Sequence, residues 1–327
     1  MMISSARRRL LGAAALASLF TLPAAAAADD FPSRPIKIVV PYAAGGGTDT
    51  IARLIGGKLG EAWKATVVIE NKPGAGGVIG NDMVAKSPAD GYTVLMGITA
   101  LVQAPALFAK LPYDFSKDLQ PLTVIARSAD LLLVPKEVPA NTVAEFVALA
   151  KAAPDKYALG TYGNGTSSHI HAAMLSSQAG LDLAFVPYKG AAPLMNDLLG
   201  GQVKVAFVDS TTAQPHLAGG RLKVLAVTGA RPSPLAPQAP TFTSLGYKSF
   251  EPYGWFAMFT QAATPPAIAK RLSDEIIRIV AQPAVRERLQ TLGLQPGGDA
   301  AADFGREAQT DLGIWAKVIK DANIKMD

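Results

Sequence analysis

The chain has 327 residues, 49% of them apolar and only 17% charged, with no cysteine. That is enough apolar mass for two ordinary domains, and it excludes a disordered tail, a coiled coil, disulfides, thiolate metal sites and thiol nucleophiles. Its 30 glycines and 24 prolines follow no period, which fits a loop-rich α/β chain and not collagen.

Residues 1–28 read as an export signal. Arg7, Arg8 and Arg9 form the positive start, and Leu10 to Leu22 form an apolar stretch too short to span a bilayer comfortably. Pro23 breaks that stretch, and the alanines that follow offer cleavage after Ala26 or Ala28. The paired arginines leave Sec and twin-arginine export both open. Without those three arginines the formal net charge falls from +5 to +2, so most of the basic excess belongs to the signal. No basic stripe with interleaved aromatics remains, and nucleic acid is not an expected partner.

In the mature chain, Ile36 to Val40 reads as a β-branched strand stopped by Pro41. A glycine-rich turn, Ala43 to Gly47, leads into a helix for which Thr48 and Asp49 look like N-cap residues. Ile51, Leu54, Ile55, Leu59 and Trp63 recur at spacings of three and four, one buried stripe. Strands at Thr66–Ile69 and Tyr92–Met96 flank a second helix carrying Val78, Ile79 and Met83. This βαβαβ unit, with near-continuous apolar strands, predicts a parallel sheet covered on both faces.

An irregular stretch follows, holding Pro105, Pro112 and Pro121. A second α/β unit then takes strands near Leu131–Val134, Tyr157–Thr161, Ala184–Val186, Val203–Val208 and Leu222–Val227. Its helices lie around Val143–Ala150, from about Thr166, and at Leu194–Leu199. Gly254 to Phe259 is strand-like, and the last helices, near 266–281, 283–292 and 299–323, have no sheet of their own. They are expected to pack back onto the first unit. The predicted division is residues 29–127 plus 252–327 for domain 1 and 128–251 for domain 2, with a ligand cleft between them.

Four loops could carry chemistry. In Pro41, Tyr42, Gly45, Gly46, Gly47, Thr48 and Asp49 the glycines let backbone amides converge at a helix N-terminus, an anion cradle most simply suited to a carboxylate. Asp49 would repel an anion there; it caps its own helix, pairs with Arg53 at i+4, or meets a ligand amine. Asn164, Gly165, Thr166 and Ser167 form a second turn into a helix, where capping alone is an equal explanation and His169 is more simply incidental. Tyr188, Lys189 and Gly190 follow one strand and Asp209 ends another.

Other chemistries find little footing. Neither glycine-rich loop completes a dinucleotide fingerprint, and no Walker-type phosphate loop exists. His169 and His171, two apart, would point to different helix faces, and there is no HExxH. The G-x-S-x-G elbow is absent too. No catalytic residue, metal or cofactor is predicted.

The runs PIKIVVPYAAGGGTDTIARLIGGKLG, VVIENKPGAGGVIGNDMVAKSPADGYTVLMG, YGNGTSSHIHAAM and FVPYKGAAPLMNDLLGGQVKVAFVD resemble, in order, the Bug family. These are the TctC-like substrate-binding receptors of tripartite tricarboxylate transporters. The resemblance implies a two-domain periplasmic-binding-protein type II (Venus-flytrap) fold that closes on a small carboxylate ligand (a di- or tricarboxylate, an acidic or amidated amino acid, or an aromatic acid) through backbone amides and ordered water. It adds Thr99 to the site residues and implies a monomer that serves membrane permease subunits from the periplasm. The family often has serine where this chain has Thr166, and leucine where it has Ile170. A ligand-presenting sensor and an exported hydrolase or lyase stay open as other readings.

Overall fold

The computed structural model describes residues 31–324; the export-signal reading of residues 1–28 lies outside them. The chain opens with β1 (Ile36–Val40), α1 (Gly47–Trp63), β2 (Val67–Asn71), α2 (Val78–Ala85) and β3 (Thr93–Ile98). Next come α3 (Ala100–Leu107), the single turn α4 (Phe115–Asp118) and β4 (Leu119–Ser128). A second set follows: β5 (Asp130–Pro135), α5 (Val143–Ala152), β6 (Leu159–Thr161), α6 (Ser167–Ala179) and β7 (Phe185–Pro187). It continues through α7 (Ala191–Leu199), β8 (Val205–Asp209), α8 (Ser210–Leu217) and β9 (Leu222–Val227). The chain ends with β10 (Gly254–Gln261), α9 (Pro266–Val280), α10 (Pro283–Thr291), β11 (Gln295–Pro296) and α11 (Ala301–Asp321).

Two sheets result, in the orders β11-β4-β10-β3-β1-β2 and β7-β6-β8-β5-β9. Neither is wholly parallel, which corrects the expectation for the first. β1 pairs parallel with β2 and β3, but β10 runs antiparallel to both β3 and β4. In the second sheet β5 alone opposes its neighbours β8 and β9. The reason is topological. β4 leaves the first sheet toward the gap and continues as β5, and β9 leaves the second and returns as β10. A strand arriving from the other sheet enters at the end where the parallel strands finish, so it runs against them.

The long β4 is the element that the prolines conceal. Pro121 sits opposite Phe259 at an irregularity of the β4–β10 ladder, while β11 pairs only with Arg127 and Ala126 on the other side. A missing N–H costs little at such a position.

Burial follows the predicted periodicity where helices are amphipathic. Ile51, Ile55 and Leu59 of α1 are wholly buried on the first sheet with Ile36 and Ile38. Helix α9 adds Ile268, Leu272, Ile276 and Ile279 to the same core. Phe304, Trp315 and Ile319 of α11 join a different core that runs on to Phe146, Leu159 and Phe207 of the second unit. The last helix therefore touches both units.

Candidate ligand-binding site

The parallel strands of both sheets end at the gap, and the crossing strands begin there. The ends of β1, β3, β4, β6 and β8 and the starts of β5 and β10 meet at one cavity. From the first sheet come Tyr42 and Ala43 after β1, Ile98 and Thr99 after β3, and Ser128 closing β4. The second sheet gives Asp130 opening β5, Tyr162 after β6 and Asp209 ending β8. Gly254, Trp255 and Phe256 open β10 and make another wall. The cavity encloses about 520 Å³ with its mouth.

Three helices begin at this cavity: α1 at Gly47, α6 at Ser167 and α7 at Ala191. In none of them does the N-cap residue's own side chain cap the first turn. Their N-terminal partial charges converge on one volume. Among the described residues no lysine or arginine lines it.

Of the residues the sequence singles out, Tyr42, Gly46, Gly47, Thr48, Thr99, Ser167 and Asp209 line the cavity together. Asn164, Tyr188 and Lys189 do not. They line a neighbouring cavity with the Gly74–Gly77 loop, and Tyr42 and Tyr162 border both spaces. The Tyr188 hydroxyl is tied to Asp197 at 2.6 Å.

The remaining residues shape the walls. Pro41 stops β1 and packs against Gly80. Gly165, at φ +74°, lies against the Phe108 ring. Gly190, at φ +126°, lets the second unit approach the backbone of Ala43, whose N–H donates to the Lys189 carbonyl at 2.9 Å. Thr166 holds the N-cap position, but its hydroxyl turns back to the Gly163 carbonyl at 2.6 Å.

The first turn of α1 also departs from expectation. Gly46, not Thr48 or Asp49, is the N-cap. Two amides of the glycine loop already have partners: Gly45 N–H donates to Asp49 Oδ2 at 2.9 Å, and Gly47 N–H to Thr212 Oγ1 at 2.8 Å. Asp49 pairs with Arg53 at 2.9 and 3.0 Å and accepts from Asn71. Its burial raises the pKa, but the bonds from Arg53, Gly45 and Asn71 outweigh that and hold the carboxyl below its usual range. Asp49 is therefore a brace behind the loop.

Asp209 caps α8, accepting from Thr212 N at 3.0 Å and from Thr212 Oγ1 at 2.8 Å. Burial pushes its carboxyl up to about 6; the Thr212 bonds oppose this, and neighbouring Asp130 adds to it. Burial likewise raises Tyr42, whose hydroxyl donates to the Gly76 carbonyl at 3.0 Å. Tyr162 is raised first by burial, then by Asp130 and Asp209. His169 is buried outside the cavity wall, edge-on to Phe185, and burial lowers its pKa.

Sequence reasoning misses Ser128, Asp130, Tyr162, Ala191 and the Gly254–Phe256 wall. The signal that could have found Asp130 is a lone acid opening the apolar run Leu131 to Val134. It marks the end of a strand that cannot face only core.

The chain matches the family model of the tripartite tricarboxylate transporter family receptor over residues 51–324. It belongs to that family. Among solved structures it is similar to the periplasmic binding protein BugD, at 33% identity and a TM-score of 0.87 over 90% of this chain and all of that one. A structure of Rpa4515 from R. palustris with adipate is 32% identical, with a TM-score of 0.86 over 91% of this chain and 100% of that chain. MatC (Rpa3494) from Rhodopseudomonas palustris, with bound malate, is 30% identical, with a TM-score of 0.84 over 88% and 100% of the respective chains. The chain is thus a solute-binding protein of the Bug and TctC type with a periplasmic-binding-protein fold.

Proposed function

We propose that this receptor captures a small organic carboxylate in the cavity between its two lobes and delivers it to the membrane subunits of a tripartite tricarboxylate transporter. The observation that carries this reading is the meeting of three helix N-termini, none capped by its own N-cap side chain, on a cavity without a cationic side chain. Such a site holds an anion by peptide N–H groups and short hydroxyls, with water filling the remainder. Adipate on Rpa4515 and malate on MatC support the ligand class. The residues assigned to the carboxylate are Gly46, Thr48, Thr99 and Ser167, with Gly47, whose own amide is taken by Thr212, giving the close backbone approach. Asn164, Tyr188, Lys189 and Gly190 serve the adjoining entrance.

The lobes are residues 29–127 with 252–327, and 128–251. Closure turns on the two crossings, near Ser128–Asp130 and before Gly254. The receptor acts as an exported, periplasmic monomer without catalytic chemistry.

The test is thermal denaturation of mature protein against a panel of mono-, di- and tricarboxylates, sugars and metal ions. A cognate acid at one hundred times its Kd adds about 2.7 kcal/mol of stability and raises the midpoint. A panel in which only a neutral sugar or a metal shifts it overturns the reading.

A further inference from the structure

Gln103 lies on α3, is wholly buried and stands behind the cavity wall. Its side chain reaches across to the first residue of α6. The amide Nε2 donates to Ser167 Oγ at 2.9 Å, and Oε1 stands 3.4 Å from the same hydroxyl. Both ends of the amide thus meet one oxygen. A buried amide satisfied by a single hydroxyl is a poor stabiliser, because its two N–H donors and its carbonyl must all leave water. Methionine would fill the same space without that cost. A local choice that costs stability is a mark of function.

What the contact does is set the polarity of Ser167. A hydroxyl has one proton to donate and lone pairs to accept. With a lone pair occupied from behind by Gln103, the proton is left for the cavity that Ser167 lines. Two neutral acceptors also lie within its reach, the Gln103 oxygen and the Tyr162 hydroxyl. An ionised acceptor outcompetes both, since a charge-assisted hydrogen bond is about twice as strong as a neutral one. Thr99 is prepared in the same way: its Oγ1 accepts from Trp255 N–H at 2.7 Å, which leaves its own proton to donate. The two hydroxyls flank one spot. A Cβ built on Gly254 would lie 3.5 Å from Thr99 Oγ1 and 3.9 Å from Ser167 Oγ.

We propose that Gln103 is a positioning residue for recognition: it orients the Ser167 hydroxyl as a proton donor, so that Ser167 and Thr99 together hold a group that only accepts. Gln103 acts through Ser167 and touches no ligand itself. The inference rests on the carboxylate reading above and adds to it a residue behind the wall.

The experiment is a double-mutant cycle, read by calorimetric titration of mature, ligand-stripped protein with succinate, malate, adipate and citrate. Gln103→Met should weaken the tightest of these by about three- to tenfold, the scale of one net hydrogen bond, and Ser167→Ala by about tenfold or more. Gln103→Met added to Ser167→Ala should weaken binding by less than about twofold further, because the hydroxyl it orients is gone. Gln103→Glu keeps the shape and reverses the polarity: its carboxylate takes the Ser167 proton, and affinity should fall by at least about tenfold. Losses that multiply in the double variant, or wild-type affinity in Gln103→Met, would make Gln103 a packing residue and sink the proposal while the carboxylate reading stands. Wild-type affinity in Gln103→Glu sinks it too, even if Gln103→Met does not fold. If none of the four acids binds the wild-type protein, both fall.

Discussion

The amide of Gly47 donates to Thr212 Oγ1 at 2.8 Å, so the first turn of α1 is fastened to the opposite lobe. The approach is close. A Cβ on Gly47 would lie 2.3 Å from Asp209 Oδ1 and 3.2 Å from Thr211 Cβ, both in the second lobe. Within its own lobe an alanine at the start of a helix is harmless. Gly47→Ala should therefore leave the unfolding free energy within about 0.5 kcal/mol of wild type but hold the lobes apart. Ligand affinity is expected to fall at least tenfold, and small-angle scattering should show no compaction with ligand. Wild-type affinity in this variant would refute the proposed closure of the lobes on the ligand.

Gly254 tests the cavity from the opposite wall. An added Cβ there would meet Thr99 Oγ1 at 3.5 Å, the Ser128 carbonyl at 3.6 Å and Ser167 Oγ at 3.9 Å, all ordinary contacts. Gly254→Ala therefore fits without strain, and alanine loses less backbone freedom on folding than glycine. The methyl group nevertheless projects into the cavity that Gly254 lines. Thermal stability should hold or rise while affinity for the acids of the panel drops. An alanine variant that binds as well as wild type would place the ligand elsewhere.

Asp209 sets a pH dependence with a definite sign. Its carboxyl is raised from 3.8 to about 6. Between those values the native state holds a proton that the unfolded chain releases. The stabilisation is complete below about pH 4 and is lost as the pH rises through about 6, with a span of about 3 kcal/mol for two units. Asp209→Asn keeps an oxygen for the Thr212 amide and does not titrate. Denaturant midpoints of the two proteins should diverge from pH 4 to pH 7, with wild type losing ground. A gap that stays constant across that range contradicts the shift.

The glycine loop, the α/β alternation and the amphipathic helices were legible because each rests on local chemistry: turn residues, apolar runs and a 3.6-residue period. What was hidden depends on the return of the chain. Ser128, Asp130 and Gly254 reach the cavity because β4 and β10 cross between the sheets, and no local pattern announces a crossing. Pro105 lies inside α3 and Pro121 inside β4, so the usual breaker signals misled at both. Tyr188 and Lys189 lie one cavity away for a related reason. The sequence shows that they follow a strand, while the Tyr42 and Tyr162 rings decide which space they border.

His171 offers the last test because two costs there oppose each other. Its Nδ1 meets Asp130 at 2.9 Å, but its Nε2 is buried with no partner among the described residues. Phenylalanine has nearly the same ring shape for the space between Phe207, Phe250 and Trp315. His171→Phe removes the orphaned nitrogen, a gain of about 1–3 kcal/mol, and deprives Asp130 of one hydrogen bond, a loss on the same scale. Stability should therefore change by no more than about 1–2 kcal/mol, far less than the 3–5 kcal/mol that truncating a large buried aromatic costs. Binding should respond differently. With only Tyr162 left to hold its side chain, Asp130 loses its fixed orientation on the cavity wall, and affinity for the cognate acid of the panel should change several-fold. Unchanged affinity would make His171 a packing residue and remove it from recognition.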